Sequence, residues 1–122
     1  MTKVMILEPD VMQRDLMVLA LQRHELFPIV CPQSHQIEDM LALHCPDLLI
    51  LDLLLRGRNG LDLMEYLKKK GLLEKTRVML ISPLGFPEIV RKAAHAGAAA
   101  FVVKPLDHDQ LAERSFNLMR SS

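Results

Sequence analysis

Apolar and polar positions along the chain fall into ten alternating segments. Residues 3–7 (KVMIL) are a short apolar run that ends at Glu8, Pro9 and Asp10 and read as a first strand. Asp10 is placed to cap a helix, and Met12, Leu16, Leu19, Ala20 and Arg23 then follow the helical period to about His24. A short strand over 27–31 is framed by Pro28 and Pro32, which suits a sheet edge because proline cannot donate to a ladder. Ser34 is a cap for a helix over 36–44, with Ile37, Met40, Leu41 and Leu43 apolar and Pro46 as its stop. The third strand covers 48–53, and a loop over 54–60 follows it. A third helix over 61–70 has Leu61, Met64 and Leu67 on one face, and Gly71 ends it. Its lysines, 68 to 70, suit a solvated helix C-terminus better than a binding patch. Residues 77–81 (RVMLI) are the fourth strand. Pro87 opens a helix to about 96, closed by Gly97. Residues 98–103 are the fifth strand, and Asp107 caps a last helix over 108–120 with Leu111, Ser115, Leu118 and Met119 facing inward.

Five strands alternating with five helices predict an α/β fold with a parallel sheet. Right-handed crossovers leave few arrangements. The natural one is a (βα)5 three-layer sandwich whose five-stranded parallel sheet has the flavodoxin-like order 2-1-3-4-5. The third strand is apolar throughout except at Asp52, so it is buried on both faces. A carboxylate inside such a run is costly unless it is paired or exposed. The solution is to place Asp52 at the carboxyl end of the strand, where ligands bind in open parallel sheets. Glu8 and Asp10 follow the first strand, Ser82 the fourth and Lys104 the fifth. Three carboxylates, a hydroxyl and an ammonium are therefore expected along one sheet edge.

A length of 122 residues predicts one domain, residues 1–122, and half the residues are apolar, enough for one core. Net charge is zero, which leaves no electrostatic footprint for nucleic acid or an anionic membrane. No apolar run approaches a transmembrane length, and the first apolar run is too short for a signal peptide. Cys31 and Cys45 share no CxxC spacing and read as reduced thiols, so the expected location is the cytoplasm.

The cluster LEPD, the segment LDLLLRGRNGLDL, the pair Ile81-Ser82 and the stretch GAAAFVVKPL together make the chain resemble the receiver domain of two-component response regulators, along essentially its whole length. The resemblance implies a signalling module and not an enzyme. Asp52 would accept a phosphoryl group from a histidine kinase or phosphotransfer protein. Ser82 and Lys104 would bind the phosphoryl oxygens. Mg2+ would sit on Glu8, Asp10, Asp52 and the backbone carbonyl of Leu54. Ser82 and Phe101 would switch on activation, and the bond before Pro105 would be cis. Output would run through the face of the fourth helix, fifth strand and fifth helix, to a downstream protein or a second copy, with Phe116 a candidate anchor there. The chemistry is coherent: a carboxylate nucleophile, a hard cation on oxygen ligands, and a reaction that needs mainly positioning and charge neutralisation.

Three positions depart from the family pattern. Pro9 stands where the direct metal-binding carboxylate is usual, which predicts weakened Mg2+ affinity. Pro83 follows the hydroxyl and has no N–H to offer a phosphoryl group. Arg56 replaces the usual loop proline, and it and Arg58 read as solvated loop residues. These losses set a second expectation beside the first, a pseudo-receiver that keeps the fold as a phosphorylation-independent docking module. A small flavodoxin-like enzyme or nucleotide binder lacks support, since there is no GxGxxG after the first strand and no Walker loop. No effector sequence follows residue 120, which leaves a stand-alone receiver or a piece of a longer protein.

Overall fold

Parallel pairing of five strands builds the centre of the molecule in a computed structural model that describes residues 1–120. The strands are β1 (Lys3–Leu7), β2 (Phe27–Val30), β3 (Leu48–Asp52), β4 (Arg77–Ser82) and β5 (Ala100–Val103), ordered β2-β1-β3-β4-β5. Five helices connect and follow them: α1 (Val11–Arg23), α2 (Ile37–His44), α3 (Gly60–Lys69), α4 (Pro87–His95) and α5 (His108–Arg120). This is the expected flavodoxin-like (βα)5 sandwich, with the proline-bearing β2 at an edge. Among the described residues no helix is long and apolar enough to cross a membrane.

Strand alternation divides the core in two. Met5, Leu7, Leu49, Leu51 and Leu80 meet α2, α3 and α4 through Ile37, Leu41, Leu63, Met64, Leu67 and Ala93. Val4, Ile6, Leu48, Ile50 and Ile81 meet α1 and α5 through Met17, Ala20, Leu21, Leu111 and Ala112. All five residues of β3 are buried, as a strand covered on both faces requires.

Caps set most helix boundaries. Asp10 accepts the Gln13 N–H at 3.1 Å, Asp107 that of Gln110 at 3.0 Å, and Asn59 those of Leu61 and Asp62 at 2.7 and 3.3 Å. Pro87 is at the first turn of α4. Gly71 and Gly97 follow α3 and α4 with φ of +74° and +104°, left-handed positions that favour glycine.

Four expectations need correction. The first concerns α1. Met12, Leu16 and Leu19 face solvent at 70%, 39% and 52% exposure, while Met17, Ala20 and Leu21 are buried. Apolar residues surround this helix, so periodicity alone does not select the inward face. Packing selects the stripe through Ala20 and Leu21. Second, Ser34 does not cap α2. It begins a single 3-10 turn, Ser34–Gln36, that runs straight into the helix, and neither Gln33 nor Gln36 caps through its side chain. The extended cap position belongs to Gln33, which has no hydroxyl, and Ser34 is already inside the turn. Third, Leu43 is 77% exposed and not part of the buried face of α2. Fourth, the loop after β3 contains a small antiparallel hairpin, Leu54–Leu55 against Arg58–Asn59.

Candidate functional site

The same alternation that splits the core aims the side chains at the sheet's carboxyl edge. Glu8 continues the row Val4–Ile6, Asp52 the row Leu48–Ile50, and Lys104 the row Ala100–Val102. All three rows point to the α1/α5 face, so the three charged groups meet. Lys104 Nζ donates to Asp52 Oδ2 at 2.5 Å and to Glu8 Oε1 at 2.7 Å. Asp52 Oδ1 accepts the Leu54 N–H at 2.7 Å. Glu8 and Asp52 are almost fully buried, and Glu8 Oε2 is buried with no hydrogen-bond partner among the described residues. The cluster is the floor of an open cleft of about 360 Å³ whose rim includes Pro9, Asp10, Leu54, Arg56 and Pro83.

The one unlike charge beside it, Lys104, does not fully offset the cost of this burial for Glu8. Burial pushes its carboxyl up from the ordinary 4.5 to about 7. The hydrogen bond and negative charge of Asp52 add to the rise, and Lys104 opposes it. Burial alone depresses the Lys104 ammonium, but its hydrogen bonds to and attraction by Asp52 and Glu8 outweigh that and hold it above its ordinary value.

Ser82 belongs to the other row, Val78–Leu80, and so to the α2/α3/α4 face. It is completely buried, its hydroxyl accepts the Leu84 N–H at 2.9 Å, and Pro83 lines the cleft in its place. Phe101 shares that face. It is half-buried, packs on the same core cluster and lies one register step from Ser82, since Leu80 pairs with Phe101 and Ser82 with Val103. The five strand-end residues therefore divide. Glu8, Asp52 and Lys104 touch, and Asp10 is beside them with one oxygen engaged as the α1 cap. Ser82 is instead on the face where Phe101 packs. The Lys104–Pro105 bond is cis.

Gly60 escaped the sequence reading. A Cβ there would meet the Asp52 carbonyl oxygen at 2.2 Å, so only glycine lets the start of α3 press against the end of β3. The Gly60 N–H donates to Leu53 O at 2.7 Å. A glycine directly after the Asn59 cap was the available signal.

The donors suit a hard divalent cation in chemistry, with two buried carboxylates, one orphaned carboxylate oxygen and the nearby backbone of Leu54. The set is sparse. Among the described residues no three His, Cys, Asp or Glu side chains are grouped to hold a metal, because Pro9 contributes no carboxylate.

Comparison with known proteins agrees with this geometry. Residues 4–115 match the response regulator receiver domain family. Among curated relatives, the probable C4-dicarboxylate response regulator DctR of Priestia megaterium is 26% identical over 110 residues, covering 88% of this chain and 47% of that protein. The phosphate regulon transcriptional regulatory protein PhoB of Escherichia coli K12 is 22% identical over 118 residues, covering 97% of this chain and 52% of PhoB. The chain thus spans about half the length of these relatives. Among solved structures, the Francisella response regulator 1452 receiver domain superposes with a TM-score of 0.89 at 18% identity, covering 98% of both chains. A Thermotoga maritima response regulator does so at 0.87 and 21%, again covering 98% of both. With the family pattern matched over nearly the whole chain, this protein belongs to the response regulator receiver domain family.

Proposed function

We propose that the chain is a phospho-accepting receiver domain, residues 1–122, in which Asp52 takes a phosphoryl group from a histidine kinase or phosphotransfer protein. The observation that carries this reading is the buried Asp52 carboxylate, held at the carboxyl end of β3 by Lys104 and the Leu54 N–H on the floor of an open cleft. A carboxylate oxygen forms the new bond to phosphorus as the bond from phosphorus to the donor's imidazole nitrogen breaks. The electron pair goes to the imidazole nitrogen, which takes a proton from solvent. Lys104, already within reach of Asp52, then faces the phosphoryl oxygens as a point charge. Ser82 turns toward the new phosphoryl group by giving up its bond from Leu84, and Phe101, on the same face, fills the space it leaves.

Mg2+ would be held by Glu8, Asp52, Asp10 and the Leu54 carbonyl and would neutralise phosphoryl charge. The sparse donor set supports weak binding. Output runs through the α4-β5-α5 face to a downstream protein or a second copy. Phe86 and Val103, 58% and 47% exposed, put apolar surface there. The reading places the domain in the cytoplasm, among the components of a two-component phosphorelay.

The test is incubation with a small-molecule phosphodonor across a Mg2+ titration, read by intact mass, with Asp52→Ala as control. A phosphoryl adduct that depends on Mg2+ and vanishes in the variant is expected. No adduct at saturating Mg2+ from a chain folded by circular dichroism would overturn the reading and leave a phosphorylation-independent docking module.

A further inference from the structure

The Asp52 cleft has a larger neighbour. About 500 Å³ opens beside it, between the β1–α1 connection, the 3-10 turn at Ser34–Gln36 and the hairpin after β3. Its size falls in the range of small-molecule sites. Leu7, Pro9 and Leu55 give it an apolar wall, and Arg14, His35 and Arg56 put cationic or potentially cationic groups on its rim. Among the described residues no Asp or Glu lines it. Among the described residues, neither Arg14 nor Arg56 has an ion pair or a side-chain hydrogen bond, whereas Arg23 and Arg77 have theirs. Two unpartnered guanidiniums above an apolar wall match an oxyanion attached to an apolar body, because the guanidinium fork binds carboxylate and phosphate alike. Pro9 and Arg56 line both this cavity and the Asp52 cleft. The proline that removes a carboxylate from one therefore also keeps negative charge out of the other.

We propose that this cavity is a binding site for a small organic oxyanion, with its carboxylate or phosphate head between Arg14 and Arg56 and its apolar body against Leu7, Pro9 and Leu55. Binding here does not depend on phosphorylation of Asp52, and the two are tested separately.

The experiment is an amide and arginine side-chain N–H chemical-shift titration of the unphosphorylated chain without Mg2+. Three probes share one ring: benzoate, phenyl phosphate and neutral benzamide. Benzoate or phenyl phosphate should saturate with a dissociation constant at or below about 10 mM, a fragment-level affinity. Shifts should centre on Ser34, Leu55 and the Arg14 and Arg56 side chains, and benzamide should not saturate. Which of the two anions binds tighter distinguishes a carboxylate from a phosphate ligand. Arg14→Ala with Arg56→Ala should weaken binding at least about tenfold, and Arg14→Lys with Arg56→Lys, which keeps charge and bulk, should fall between. Any of four results would overturn the proposal: no saturation by either anion, equal binding of benzamide, unchanged binding in the double alanine variant, or shifts centred on Asp52 and Lys104.

Discussion

Glu8→Gln should make the chain more stable than the wild type above neutrality, although it deletes one partner of a buried ion pair. Glu8 is 1% exposed and its carboxyl is raised from 4.5 to about 7. The folded state therefore holds a proton that the unfolded chain releases near pH 4.5. Below that pH both states are protonated and the carboxyl adds no penalty. As pH rises the unfolded state loses its proton first, and stability falls until the folded carboxyl ionises near 7. The gap between 4.5 and about 7, at ~1.36 kcal/mol per pH unit, is about 3 kcal/mol once both states are ionised. At pH 5 less than about 1 kcal/mol of that has appeared, so the change between pH 5 and pH 8 is roughly 2 to 3 kcal/mol. Glutamine keeps the shape and does not titrate. Urea unfolding of both chains at pH 5, 6, 7 and 8 in EDTA checks this. Contributions of the five histidines cancel in the difference between the chains. The difference should grow with pH in favour of Glu8→Gln. Parallel profiles, or a wild type that gains on the variant as pH rises, would show that Lys104 stabilises the Glu8 carboxylate by as much as burial costs it, or by more. The electrostatic account of the cleft would then be wrong.

Leu21→Ala should cost about 2–5 kcal/mol, as a core truncation does, while Leu19→Gln should stay within about 0.5 kcal/mol of wild type. Equal losses in denaturant titrations would restore the α1 face expected from spacing. Gly60→Ala should cost about 1–3 kcal/mol by overpacking and slow adduct formation at Asp52, since the new methyl collides with the Asp52 carbonyl. A thermal midpoint and phosphorylation rate both equal to wild type would contradict the close approach. Phe116 packs half-buried on the α1/α5 core under the Arg120 guanidinium, 5.5 Å from its ring centre. Phe116→Ala should therefore cost about 1–2 kcal/mol and leave the domain folded, while weakening self-association of the phosphorylated chain. Unchanged sedimentation would remove Phe116 from the interface.

Strand positions were legible because apolar runs bounded by Pro, Gly and charge have few other readings, and strand order followed from the number of βα units. The face of α1 was not legible. Val11, Met12, Leu16, Met17, Val18, Leu19, Ala20 and Leu21 offer two apolar stripes, and only contact with the sheet chooses between them. The cap on α2 failed for a related reason. Serine ahead of an apolar run is a sound signal, but a 3-10 turn can take up the same residues. At the site, the residue types were readable and their meeting was only half readable. Strand ends were expected to gather five groups, yet the two-residue pleat sends Glu8, Asp52 and Lys104 to one face and Ser82 to the other. Parity within each strand was countable, but what sets Ser82 on the other face is the register that pairs Val78 with Leu49, and the uniformly apolar RVMLI run does not show it.

The position of Pro9 has its own consequence. Residue 9 lies past the end of β1 and lines both the Asp52 cleft and the larger cavity, whereas Glu8 is engaged with Lys104 beside Asp52. A carboxylate at 9 would stand where the two cavities meet. Glu8 acts on Lys104 instead, sharing the ammonium with Asp52. Near neutrality a partly protonated Glu8 leaves Asp52 and Lys104 as a nearly balanced pair. Such a floor repels an incoming phosphoryl group less than a triad of carboxylates would, and it attracts a divalent cation less. The loss at residue 9 and the burial of Glu8 thus act in the same direction, trading metal affinity for a lower electrostatic barrier to an anion approaching Asp52.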